Sequence, residues 1–485
     1  MALGDTTLET ARREDEAATS AAAPRPEGRV PGGTVARPPG LWAATRPLLM
    51  RLHFYVGVLI GPFLLVAATT GLLYTTSPQL EQFVYRHELH VTAQSASHAV
   101  PLAAQVAAGR AAVPDGTLQS VSPAAGPTDT TRVLFDAKGV PQGWSRTAFV
   151  DPYTGKVLGV LTTDGQWLPL RAWLDTLHRT LHLGAFGRNY SELAASWLWV
   201  EVLGGLALWL GVRRRRDRIR RTLLPRLRGP GHRRVLSWHA VVGLWVSLGL
   251  LGLSATGLTW SDHAGANVGQ IRAQLKGGTP SVPTALPAHQ ATAHTRGSDV
   301  GIDAVVRSAH RAGLSGVLVV TPPAAPGRAW VVKENTRHWP ERQDSVAVDP
   351  ATGKVTAKLR FADYPLLAKL TRWGIDAHMG LLFGLPNQIA LALLAATLIA
   401  MVLWGYRMWW LRRPTRSTCA AFGRAPARGA WRRLPGRVLA PAVLAVAVLG
   451  YYLPLLGIPL LVFLATDLAV GAVVRRRAAA AGVAR

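Results

Sequence analysis

The stretch RLHFYVGVLIGPFLLVAATTGLL, Arg51 to Leu73, decides the fold. After His53 it holds no ionisable side chain except the phenol of Tyr55, and a helix needs about 20 mostly apolar residues to cross the hydrocarbon core of a membrane. Leu52 to Thr76 meets that length, as do Ala194 to Val212, Val235 to Trp260 and Gln388 to Leu411. A fifth run, Val438 to Val474, is too long for one span. Its Pro454 and Pro459, following Gly450, Tyr451 and Tyr452, divide it into a hairpin of two spans.

The rest of the 485-residue sequence agrees: 49% of it is apolar and only 17% is charged. A net charge of +27 would point to nucleic acid in a soluble protein, but here arginine gathers in short connections beside spans and no binding motif accompanies it. The clusters are Arg213 to Arg234, Arg412 to Arg437 and Arg475 to Arg477, with Arg46 and Arg51 before the first span. Positive charge beside spans marks the cytosolic side. All four clusters fit one topology in the inner (plasma) membrane, with six spans, both termini cytosolic, two long polar stretches outside, and membrane lipid as partner of the basic loops. The single cysteine, Cys419, lies in an Arg-rich loop, which excludes intrachain disulfides, thiolate metal clusters and covalently attached haem.

The expected division follows. Residues 1–45 are a disordered cytosolic tail, 46–76 the first span and 77–170 an external module. Residues 171–212 hold an interfacial helix and the second span, 213–234 a basic loop and 235–260 the third span. A second external module fills 261–365, an interfacial helix and the fourth span 366–411, a basic loop 412–437, the hairpin 438–474 and a tail 475–485.

The chain reads as built twice. His53 in RLHFYVGVLIG matches His239 in SWHAVVGLWVSLG, and each is followed 17 residues on by a Thr-Gly pair, Thr70-Gly71 and Thr256-Gly257. Each external stretch ends in a similar turn, VDPYTGKVLG from Val150 and VDPATGKV from Val348. LHRTLHLGAFG, with His178 and His182, then matches IDAHMGLLFG, with His378. The offset is 186 residues from His53 to His239, 198 from Asp151 to Asp349 and 196 from His182 to His378. Both halves start and finish inside, so the repeat is parallel, about an axis along the membrane normal that sets matched histidines face to face. Within the external stretches, Pro101 to Gly109 and Ile302 to Ala312 read as helices. Thr131 to Phe135, Ala148 to Val150, Gly316 to Val320 and Trp330 to Val332 read as strands, giving two small α+β modules.

Histidine is costly in lipid unless it faces the bundle interior and has a partner. A single one is usually a hydrogen-bonded anchor, but a matched set near small residues is a site. Two neutral imidazoles from facing helices can ligate one haem iron without any cysteine. His53 and His239 lie at the cytosolic edge, while His178, His182 and His378 lie at the outer edge, roughly 25 to 30 Å away. Two b-type haems are therefore expected, with iron ligands His53, His239, His182 and His378. His178 is one turn from His182, and the sequence leaves open which of the two ligates and which bonds a haem propionate. The external His87, His90, His98, His263, His289, His294, His310 and His338 read as solvated, and His232 as part of a basic loop. Glu201 and Asp467 are intramembrane acids that read as hydrogen-bonded to a neighbouring span or, less simply, as a proton relay.

Together, RLHFYVGVLIGPFLLVAATTGLL, the VDPxTGKV turns, LHRTLHLGAFG and WGYRMWWLRRP resemble the PepSY-associated transmembrane helix family, iron-regulated membrane proteins, over residues 45 to 414. The resemblance implies an α-helical polytopic membrane protein with extracytoplasmic PepSY modules between four core spans. It also implies b-haem reduction of ferric siderophores, with the haems carried by His53, His178, His182, His239 and His378. The chain departs from that pattern in its C-terminal hairpin and in lacking a flavin or nicotinamide domain, so a quinol or a separate reductase is expected to donate the electrons. The alternative is a non-enzymatic sensor whose modules bind a peptide, protease or envelope ligand. Transport is disfavoured because the repeats are parallel, the core spans number only four and no span is expected to break at mid-depth.

Overall fold

The computed structural model describes residues 40–93, 99–211, 223–286, 299–412 and 428–483. The expected tail up to residue 39, the basic stretches 212–222 and 413–427 with Cys419, and His98, His289 and His294 lie outside the described residues.

The first span is broken, contrary to the continuous helix expected. Helix α1 (Leu41–Leu59) starts within the expected tail, and α2 (Gly61–Tyr74) follows it at a 57° bend. Pro62 is the cause: it has no N–H to give the carbonyl of residue 58, and its ring crowds that carbonyl. The freed Val58 carbonyl accepts the hydroxyl of Tyr406 at 2.7 Å. Gly61 makes room for this bond, since a Cβ there would lie 3.1 Å from the same hydroxyl.

The other long apolar helices are α7 (Gly184–Gly211), α8 (Gly231–Thr259), α12 (Leu385–Leu411) and α14 (Pro454–Val483). Counting α1 and α2 as one, five candidate spans lie among the described residues. The sixth expected span, α13 (Gly436–Tyr452), has 17 residues and rises about 25 Å, short of a full crossing. Within the bundle α7 packs on α8 and α1, and α12 packs on α2 and α8. Outward faces present exposed Leu248, Leu393 and Leu461, an apolar surface suited to lipid rather than water. The chain is a multi-pass membrane protein.

The C-terminal hairpin is docked, not peripheral. Trp197 on α7 donates its indole N–H to the Leu455 carbonyl at 3.0 Å, and Leu456 is buried against the bundle. Asp467 pairs with Arg51 on α1 and lies 3.1 Å from Arg428. An acid that would be costly in lipid is thereby neutralised between helices.

Between spans, α3 (Ser77–Val84), α4 (Arg86–Leu89) and α5 (Leu102–Ala112) lead to strands β1 (Thr117–Ser122), β2 (Thr131–Asp136), β3 (Ser145–Val150) and β4 (Val157–Thr163), and then to α6 (Pro169–Thr180). After α8 come α9 (His263–Gln274), α10 (Ile302–Arg311), β5 (Leu318–Thr321), β6 (Trp330–Glu334), β7 (Ser345–Val348), β8 (Val355–Leu359) and α11 (Leu366–His378). The two modules expected from the sequence are not separate. Their strands form one eight-stranded antiparallel sheet, ordered β4-β3-β2-β1-β5-β6-β7-β8 and joined where Val121 faces Val320. Both valines are fully buried in a single core that also takes Val106 from α5 and Val305 from α10. Asp303 on α10 strengthens the seam by accepting the N–H groups of Leu102 and Ala103 at the start of α5, at 2.7 and 3.0 Å.

The Asp-Pro turns behave as their chemistry requires. Asp151 accepts the Tyr153 N–H at 2.8 Å and the Thr154 hydroxyl at 2.7 Å, and Gly155 takes φ 71°. Asp349, Ala351, Thr352 and Gly353 repeat the pattern.

The bend yields a test. Tyr406→Phe leaves the Val58 carbonyl without its donor and should destabilise the protein by about 1–3 kcal/mol. Thermal unfolding of the full chain in detergent should show a lower midpoint, and an unchanged midpoint would mean that Tyr406 does not secure the break.

Candidate functional site

The five candidate histidines fall into two facing pairs and one outlier. Nearer the sheet, α6 runs antiparallel to α2, so that Thr70 meets His178 and Tyr74 meets Arg171. Gly71 is needed here, because a Cβ would lie 3.1 Å from His178 Cε1. The Thr70 hydroxyl donates to the Val66 carbonyl at 2.9 Å, which leaves its oxygen to accept from His178 Nδ1 at 3.0 Å. In the second half Thr256 donates to the Gly252 carbonyl at 2.8 Å and accepts from His378 Nδ1 at 2.6 Å. Both imidazoles therefore carry their proton on Nδ1 and keep the Nε2 lone pair free, the form that a second-sphere hydrogen bond selects in a metal ligand. The rings of His178 and His378 face each other with centroids 6.4 Å apart. Burial pushes His178 below its ordinary pKa and His378 down to about 3, so both are neutral at physiological pH.

His182, named as a ligand by its offset to His378, is not in this pair. Helix α6 ends at Thr180, and Leu181 and His182 take φ 51° and 55°, turning the chain so that Gly187 packs on the Thr180 carbonyl. The imidazole of His182 then stacks on Trp173 with centroids 4.8 Å apart, and its Nε2 lies 3.1 Å from the Trp173 carbonyl. Helix α11 runs on to His378 itself, so the residue opposite His378 is His178.

The pair far from the sheet is His53 on α1 and His239 on α8, with ring centroids 6.2 Å apart. The His53 ring lies over α7 where Gly205 offers no side chain; a Cβ there would be 3.2 Å from His53 Cε1. Glu201 holds this ring, its Oε1 lying 3.1 Å and its backbone carbonyl 3.2 Å from His53 Nδ1. Gly57 clears space for that carboxylate, whose Oε2 has no hydrogen-bond partner. His239 has the Met401 backbone beside it, although among the described residues no acceptor meets hydrogen-bond geometry at its Nδ1.

The two rings of each pair, with centroids 6.2 and 6.4 Å apart, are close enough that both imidazoles could reach one metal ion. Among the described residues no three His, Cys, Asp or Glu side chains converge as a bare metal site. Two imidazole donors without a third would suit a metal that brings its remaining ligands with it, so the residues of each pair would fit haem b.

Sequence reading missed the partners more than the histidines. Thr70 and Thr256 were visible only as small residues before glycine, yet they set the tautomer of the sheet-side pair. Arg171, Arg337 and Asp376, which gather near that pair, gave no motif at all.

The sequence model of the PepSY-associated TM region matches residues 50–412, three-quarters of the chain. The chain belongs to this family. The matched region includes both histidine pairs, the break between α1 and α2 and the whole sheet, whereas the first nine residues of α1 and all of α13 and α14 lie beyond it. Comparison with curated proteins finds no match.

Thr256→Val removes the acceptor of the His378 N–H while keeping the side chain's shape. A buried donor left unpaired costs about 1–3 kcal/mol, so the variant should unfold at a lower temperature than Thr69→Val, whose hydroxyl bonds only its own helix. Equal midpoints for the two variants would remove the role given to Thr256.

Proposed function

We propose that this PepSY-associated membrane protein is a di-haem b electron-transfer protein of the inner membrane that reduces a ferric chelate, such as a ferric siderophore, on the sheet side. The reading rests on one observation: two facing imidazole pairs, at opposite ends of the bundle, with centroids 6.2 and 6.4 Å apart. Haem bound there would supply a one-electron Fe(III)/Fe(II) couple. Reduction of a ferric chelate to Fe(II) weakens a hard-oxygen ligand shell and releases the metal. The electron donor in this reading is a quinol or a separate reductase, and the two halves of the sheet are PepSY modules related by the internal repeat.

The residues around the imidazoles give the path a direction. His53 and His239 serve as the ligands far from the sheet, and His178 and His378 as those beside it. Glu201 places a carboxylate on His53 Nδ1, which makes that imidazole a stronger donor and stabilises positive charge near it. Thr70 and Thr256 place only neutral hydroxyls on the sheet-side imidazoles. The end far from the sheet is accordingly the harder to reduce, and an electron entering there runs downhill toward the sheet. Leu64, Ala194 and Leu198, packed in the bundle between the two levels, exclude water from the route.

Purified full-length protein made with adequate haem should show Soret and α-band features in a reduced-minus-oxidised spectrum, with two haems per chain. His239→Ala and His378→Ala should each lose one. A colourless wild-type protein rejects the reading, and a function unaffected by both substitutions would favour the sensor alternative. Glu201→Gln should raise the midpoint potential of one haem by roughly 60 mV, a tenfold change in a one-electron equilibrium. Redox titration measures this, and two unshifted potentials would remove Glu201 from the electron path.

A further inference from the structure

Arg171 is a buried cation without a full set of acceptors. Its side chain is 5% exposed, and its Nε donates to the Tyr74 hydroxyl at 3.1 Å. Glu81 forms an ion pair with it, but its Oε2 lies 3.7 Å from Nη1, too long for a hydrogen bond, and its Oε1 accepts the Leu168 N–H at 3.1 Å. Nη2 has no hydrogen-bond partner at all. A buried guanidinium is costly unless paired, and its planar fork matches a carboxylate.

A second guanidinium stands beside it. Arg171 Cζ lies 3.8 Å and Arg337 Cζ 4.6 Å from the centre of the same Trp167 ring. Two cations sharing one indole repel each other, and an anion between them would relieve this. Both are tied to the helices of the sheet-side histidine pair. Arg171 precedes His178 by two turns of α6, on the same face and about 10 Å along the axis. Arg337 is held by Asp376 at 2.6 Å, two residues before His378 on α11. Because α6 runs antiparallel to α2, the arginine pair lies on the sheet side of the imidazoles.

We propose that Arg171 and Arg337 form a carboxylate-binding site at the sheet-side edge of the His178–His378 pair, and that its occupant is a haem propionate. This rests on the haem reading above. It fixes which way a porphyrin is turned: propionates toward the sheet and apolar edge into the bundle. It also gives Arg171 the acceptor it lacks.

The test uses the full chain in detergent, in a His239→Ala background that keeps only the sheet-side pair. Haem-depleted protein is reconstituted with haem or with haem dimethyl ester, whose propionates can no longer carry charge, and binding is followed by the Soret band. Charged hydrogen bonds of this kind should favour the free acid by roughly tenfold or more. Arg171→Gln with Arg337→Gln should abolish that preference, and Arg171→Lys, which keeps the charge without the fork, should retain part of it. Should the double substitution prevent folding, the comparison of acid with diester on the intact arginines decides alone. Equal binding of the two pigments, or a preference unchanged in the double variant, overturns the proposal while leaving the haem reading in place. Failure of the parent chain, with all its histidines, to bind haem overturns both.

Discussion

An imidazole between apolar helices must find an oxygen for its Nδ1 proton or lose the free energy of an unmade hydrogen bond. Three of the four paired histidines meet that constraint with an oxygen from another helix: Thr70 for His178, Thr256 for His378 and Glu201 for His53. Each bond fixes the register of two helices, α2 with α6, α8 with α11 and α1 with α7. Glycines at 71, 205 and 57 follow from it, because a larger residue at any of them would displace a ring or its partner. The Pro62 break belongs to the same arrangement. It sets α2 at an angle to α1, so that one discontinuous span supplies His53 at one end and Thr70 at the other.

The two ends of the bundle obey this constraint with different chemistry. A carboxylate backs His53 and hydroxyls back both sheet-side rings, and the His53–His239 pair is itself uneven, since Gly57 lies against Glu201 where Gly243 lies against Met401. Four imidazoles stand at two levels of the bundle, and their different partners make the two levels unequal. The end of α6 at Thr180 decides which histidine serves the sheet-side level, leaving His178 on the helix and His182 beyond it.

The apolar runs, the matched histidines and the Asp-Pro turns were legible in the sequence because each depends on neighbours within a turn or a span. The helices at 102–112 and 302–311 and four of the eight strands followed from local pattern. The rest depended on contacts between distant segments. Nothing near Val121 or Val320 foretells that they join two modules into one sheet, and Pro62 alone does not say whether a span bends or a neighbour such as Tyr406 absorbs the defect. His178 and His182 are one helical turn apart in the sequence, which allows either of them the place opposite His378. Only the left-handed turn at Leu181 and His182, imposed by the packing of Gly187, separates them.

The seam between β1 and β5 also bears on how such a chain is made. Each histidine pair takes one ring from each half of the chain, and the sheet closes only when strands of the second half meet those of the first. A nascent chain that has finished α7 holds His53 and His178 with no facing partner and β1 as an open edge, the state most exposed to mispairing with another chain.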